Sequence, residues 1–137
     1  MAKSVLVDTG PIVAYLHRGD AWHAATARFF KIWRAETITT WPVITEAMVL
    51  SDSNAARLGL LQWIQRDLRI QAQDTVDTAV IERYLRKYAE RKPDFADLSL
   101  LALAERTGIR DIVTIDTADF QVYRLSNGRA LNNLLAE

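Results

Sequence analysis

Val5-Leu6-Val7-Asp8-Thr9-Gly10-Pro11 is the stretch that decides the fold. Its first three residues are an unbroken apolar run, the mark of a strand covered on both faces, and the turn-forming residues after them end it. Proline has no N–H to give a helix interior but suits a first turn. A helix is therefore predicted right after the strand, capped by Asp8 or Thr9, with its body over Ile12–Leu16 and its stop near Gly19. The same pattern returns at Ile112-Val113-Thr114-Ile115-Asp116, a second buried-type strand that again ends in Asp.

Between and beyond these two runs, helix and strand signals alternate. Trp22, Ala25, Phe29, Phe30 and Trp33 recur at helical spacing and predict a helix over 21–34. The β-branched run Thr37-Ile38-Thr39-Thr40 predicts a strand. Trp41-Pro42 opens a helix through Glu46 to Leu50, and the polar stretch Ser51–Asn54 ends it. Next come a helix over 55–66, a half-exposed strand over Leu68–Ala72, and an amphipathic helix over Val76–Glu90 with Val80, Ile81, Tyr84, Leu85 and Tyr88 facing inward. After Pro93, Ala96–Arg106 is a strongly apolar helix closed by Gly108. A short strand at Val122–Leu125 and an apolar stretch at Ala130–Leu135 complete the chain. This alternation implies right-handed βαβ crossovers and a small parallel sheet with helices on both faces, a three-layer α/β/α arrangement. No linker, repeat or low-complexity segment interrupts it, so residues 1–137 read as a single domain.

Composition narrows the chemistry. At 137 residues, half of them hydrophobic and a quarter charged, the chain can close one core. It has no cysteine, which removes disulfides, thiolate zinc sites and cysteine nucleophiles and fits a reducing compartment. The apolar run before Asp8 is too short for a signal peptide or a membrane span, so a cytoplasmic protein without membrane contact is expected. Lys plus Arg and Asp plus Glu both total 17. With no net charge, a nucleic acid could be held only where basic residues are segregated. Arg83, Arg86, Lys87, Arg91 and Lys92 form such a cluster, broken by Glu82 and Glu90. Arg83, Arg86 and Lys87 are candidates for nucleic-acid contact, and the alternative is a solvated helix face. His17 and His23 fall on surface-type helices and read as structural or solvent-exposed.

Asp8 and Asp116 each follow a buried strand, and ligands of open parallel sheets bind beyond the strand carboxyl ends. Helix capping is the competing role for either residue alone. Glu46 sits near the start of an apolar helix, and Asp97 opens the Leu98–Arg106 helix. Four carboxylates in one crevice repel each other and lose hydration, and a hard cation relieves both costs. All-oxygen ligation favours Mg2+, with Mn2+ as a substitute, over zinc. Such a site suits metal-assisted phosphodiester hydrolysis.

Four segments in this order resemble the PIN-domain proteins, specifically the VapC-type ribonuclease toxins of type II toxin–antitoxin systems. They are VLVDTGPIVAYLHRGDAWHAA (5–25), TTWPVITEAMVL (39–50), DFADLSLLALAERTG (94–108) and IVTIDTADFQVYR (112–124). The resemblance implies a PIN-like fold and a magnesium-dependent endoribonuclease. Carried over by position, the metal-binding and catalytic acids are Asp8, Glu46, Asp97 and Asp116, with Asp94 and Asp119 in a secondary acidic pocket. Thr9 and Thr114 match the hydroxyl residues that orient ligands. The resemblance further implies a homodimer and a small VapB-like antitoxin that lays a helix in a groove, for which the aromatic helix over 21–34 is a candidate; ordinary core packing is the other role for that helix. Two other readings are a stand-alone PIN nuclease in RNA processing and a non-catalytic RNA- or partner-binding module. Leu-Val-Asp-Thr-Gly also resembles the triplet of retroviral-type aspartic proteases, whose folds are all-β.

Overall fold

The computed structural model describes residues 3–135. Five parallel strands form one sheet in the order β3-β2-β1-β4-β5, comprising β1 (Ser4–Val7), β2 (Glu36–Thr39), β3 (Leu68–Ile70), β4 (Asp111–Val113) and β5 (Asn132–Asn133). The helices are α1 (Thr9–Leu16), α2 (His23–Ile32), α3 (Trp41–Leu50), α4 (Asn54–Arg66), α5 (Asp77–Lys87), α6 (Phe95–Thr107) and α7 (Thr117–Phe120), with a 3-10 turn at Ala89–Arg91. This is the expected three-layer α/β/α architecture. It excludes the all-β aspartic protease reading, since every strand pair is parallel and helices connect the strands.

The central strand is the apolar run from which the reading began. Val5, Leu6 and Val7 are wholly buried, with Leu6 opposite Ile38 on one side and Ile112 on the other. From β1 the chain winds outward through β2 to β3, then returns across the sheet to β4 and β5. The strand order therefore reverses between β1 and β4, and that reversal opens a crevice beyond their carboxyl ends. α6 carries the densest part of the core, every residue from Ala96 to Ala104 being buried. Its end is set by Gly108, whose φ of 77° puts the C-cap in the left-handed region that glycine adopts without strain.

Several boundaries differ from those read in the sequence, each for a local reason. α1 begins at Thr9 rather than Ile12, because Pro11 sits within the first turn. The β4 strand stops at Val113 instead of running to Ile115. There the Thr114 hydroxyl accepts from the Asp116 N–H at 3.0 Å, which folds the chain out of the sheet. Asp116 then caps α7, a helix not foreseen. No strand forms over Val122–Leu125: the N–H groups of Val122 and Tyr123 both donate back to the Asp119 carbonyl, and a turn through Gly128 follows. The fifth strand is Asn132–Asn133 instead, within the stretch read only as apolar tail. In the amphipathic helix Ile81 and Tyr84 are buried as expected, but Leu85 is 46% exposed, and α5 ends at Lys87.

Leu101, wholly buried in mid-α6, tests where the core lies. Leu101→Ala should cost about 2–5 kcal/mol, read from the urea midpoint. A loss below about 1 kcal/mol would place the core elsewhere.

Candidate active site

The crevice at the strand-order reversal is where the acidic residues gather, and backbone geometry explains how each gets there. The Asp8 N–H continues the β1–β4 ladder by donating to the Val113 carbonyl at 3.1 Å. Asp8 holds the N-cap position of α1 but makes no capping hydrogen bond with its side chain. Its Oδ2 instead accepts from the Thr114 hydroxyl at 2.7 Å. A hydroxyl has one proton. Since Thr114 Oγ1 also accepts from the Asp116 N–H, the proton is committed to Asp8, and three site residues become one rigid unit. Gly10 lies just behind this unit, where an added Cβ would stand 3.3 Å from Ile115.

Asp97 reaches the same crevice from α6, where it is the third helical residue rather than the first. The cap is Asp94, whose Oδ1 accepts from the Asp97 N–H at 2.9 Å. Asp116 likewise caps α7 through the Asp119 N–H at 3.1 Å. Capping, the competing role weighed for these acids, thus belongs to Asp94 and Asp116. Asp97, Asp116 and Asp119 each present a carboxylate oxygen within 4.8 Å of the others. Asp119 also accepts from Arg91 at 2.6 Å. Glu46, in the second turn of α3, is half-buried beside Thr9 and Asp94. Outside it, Trp41 and Phe95 flank a cleft of about 460 Å3 whose floor includes Glu46 and Asp94.

The electrostatics follow from this packing. Asp97 is 7% exposed, and burial, reinforced by Asp8, Asp94, Asp116 and Asp119, pushes its pKa up to about 9. Burial raises Asp8 to about 6 despite the hydrogen bond from Thr114. Glu46 and Asp116 also rise, chiefly through burial. Such carboxyls need either protons or a cation. The donor set is all oxygen and suits a hard divalent ion. A buried polar atom left over also fits one: the Thr9 hydroxyl lies against Glu46 yet meets no partner at hydrogen-bonding geometry. Asp97, Asp116 and Asp119 would hold the ion, with Asp8 adjoining them.

The basic cluster splits. Arg83 and Lys87 line a cleft of about 350 Å3 together with Arg124, Ser126 and Gly128, whereas Arg86 points away and is bound to Glu82 one helical turn back. One wall of the cleft is pinned, since Glu105 accepts from Tyr84 and from both the backbone N–H and the hydroxyl of Ser126, and Ser126 also receives Arg83. Neither Arg124 nor Ser126 carries a site signal in the sequence, Arg124 falling within the stretch read as a strand and Ser126 just beyond it. Neither histidine is in the site: His23 contacts the Ala14 carbonyl and His17 pairs loosely with Asp52. The aromatics of α2 pack inward, Phe30 at 5.0 Å from both Tyr15 and Trp63 and Phe29 stacked on Trp33.

An α/β/α fold of PIN type with a carboxylate cluster at the reversal point of its sheet is the class these features define. Among solved structures the chain is similar to VapC20 of Mycobacterium tuberculosis, a sarcin–ricin loop cleaving toxin. The TM-score is 0.75 at 21% identity, covering 83% of this chain and 91% of that one. No protein-family model matches the sequence, and no curated protein does.

The raised carboxyls set the pH dependence of the ion-free protein. Both Asp8 and Asp97 bind protons more tightly folded than unfolded, so their protonation stabilises the fold. That stability is present near their unfolded value of 3.8 and is lost as pH rises through about 6 for Asp8 and about 9 for Asp97. In EDTA the melting temperature should therefore fall between pH 5 and pH 9. Asp97→Asn should flatten the upper part of that fall; a profile as steep as wild type's would show that Asp97 is not held protonated.

Proposed function

We propose that this chain is a divalent-metal-dependent endoribonuclease, with Mg2+ as the working ion and Mn2+ as a substitute, acting as the toxin of a type II toxin–antitoxin pair in the cytoplasm. The observation that carries the reading is the cluster of Asp97, Asp116 and Asp119, oxygen donors within 4.8 Å of one another at the carboxyl ends of β1 and β4. A fold shared with a toxin that cleaves the sarcin–ricin loop supports it.

In this reading an ion held by the cluster would supply Lewis-acid polarisation of a phosphoryl oxygen and a bound water of lowered pKa. The protein's part is positioning. Asp97, Asp116 and Asp119 would hold the cation, and Asp8, its carboxylate held by the Thr114 hydroxyl, would stand beside them. Glu46 and Thr9 close the outer side. RNA arrives on a neutral protein, so local charge must guide it. Arg83, Lys87 and Arg124 form the cleft suited to its phosphates, leaving Arg86 as a solvated residue. The antitoxin helix would take the groove of about 180 Å3 between α2 and Leu134–Leu135, lined by Phe29, Ile32 and Trp33. The exposed apolar residues of α3, Trp41, Val49 and Leu50, are suited to a second copy of the chain. Among the described residues no helix is long and apolar enough to cross a membrane.

Total RNA incubated with the purified chain, freed of any antitoxin, and with Mn2+ should be cut at defined positions. Asp97→Asn or Asp8→Asn should reduce cleavage by at least about 1,000-fold while the fold persists, a loss of about 4 kcal/mol in transition-state stabilisation, and EDTA should abolish it. Either variant cutting at the wild-type rate would refute the metal assignment. On an inactive background, Lys87→Ala should lower the salt slope of RNA affinity by about one, whereas Arg86→Ala should leave it unchanged. Equal effects from both would mean the cleft has no special part.

A further inference from the structure

Among the described residues Tyr123 is the largest fully buried side chain, 1% exposed, and its hydroxyl has no hydrogen-bond partner there. Packing accounts for the ring. It meets Phe120 edge-on at 5.4 Å and Tyr88 edge-on at 5.0 Å, and the backbone N–H ties the residue to the Asp119 carbonyl. Packing does not account for the oxygen, because phenylalanine would fill the same space without burying an unsatisfied polar group. The oxygen's surroundings are specific. The Tyr123 backbone is bonded to Asp119 of the cluster, and its charged neighbours are the cluster's Asp97, Asp119 and Asp116 together with the cap Asp94. A buried donor without a partner calls for an explanation, and a water or ion bound beside it is one.

We infer that Tyr123 is a positioning residue of the metal centre, its hydroxyl hydrogen-bonding the Asp97–Asp116–Asp119 cluster, directly or through a water of the ion's shell, once a divalent cation is held there. The inference rests on the metal-site reading above. Outer-shell donors of this kind orient carboxylate ligands and typically change metal affinity by about 10- to 100-fold. Tyr123 reaches the site from the chain after α7, so it also couples the ion to the loop that carries Arg124, whose N–H donates to the Tyr88 hydroxyl at 2.8 Å.

The test compares wild type, Tyr123→Phe and Asp97→Asn as full chains, with Mn2+ alone as the probe and without RNA. Calorimetric titration should show Mn2+ binding weakened at least about tenfold by Tyr123→Phe. In EDTA the same variant should melt at or above the wild-type temperature, since it removes only an unsatisfied hydroxyl. A lower melting temperature in EDTA would make the hydroxyl a structural group and overturn the inference. Unchanged Mn2+ affinity would overturn it too, while a loss of affinity in Asp97→Asn kept the metal reading intact. Unchanged affinity in both variants would remove the metal centre and this role together.

Discussion

Parallel pairing of β1 with β4 is the constraint on which the candidate site depends. Where those strands end, the sheet's winding reverses, and the ladder's last backbone bond, from the Asp8 N–H to the Val113 carbonyl, leaves two side chains facing each other across the crevice. One is a carboxylate and the other a hydroxyl. Because Asp8 and Thr114 occupy equivalent ends of neighbouring strands, their 2.7 Å hydrogen bond joins segments more than 100 residues apart. Asp116 is tied to the same hydroxyl, and Asp97 is brought in by the most buried helix of the fold. The acids are therefore held together by the backbone and the core against their mutual repulsion, so the stored electrostatic cost becomes available to whatever cation binds.

The same economy explains the roles of the surrounding acids. Asp94 and Asp116 serve helix N-termini, where backbone N–H groups favour negative charge. Asp119 is partnered by Arg91. Among the described residues Asp97 has no counter-charge of its own, and it is the acid whose carboxyl is pushed furthest, up to about 9. Differences in partnering thus separate carboxylates of one chemical type into helix caps, an ion-paired residue and a buried acid without a counter-charge.

Much of this was legible in the residue order. Unbroken apolar runs marked β1 and β4, and the alternation of elements implied a parallel sheet with helices on both faces. Asp8, Asp116, Glu46 and Asp97 stood out by local signals, an acid after a strand or near a buried helix start, whereas Asp94 and Asp119 were reached through the family resemblance. What was not legible depends on contacts between distant residues. Asn132–Asn133 has no strand propensity and joins the sheet only because β4 offers a free edge. Val122–Leu125 reads locally as a short strand but is folded back by bonds to the Asp119 carbonyl. Tyr123 and Arg124 take their places through that loop, which no periodicity describes. Leu85 carried a helical-face signal, but α6 and the loop leave that flank of α5 uncovered.

Asn133 gives the short fifth strand a reach beyond its two residues. Its side-chain amide copies a peptide group, accepting from the Thr114 N–H at 3.1 Å and donating to the Thr114 carbonyl at 3.0 Å. The residue whose hydroxyl steers Asp8 is thus clamped on its other side by the end of the chain. Clipping the polypeptide shortly after Leu131 would leave every acid of the crevice in place, yet it would loosen the hinge on which their alignment turns, so wear at the tail would be felt at the centre.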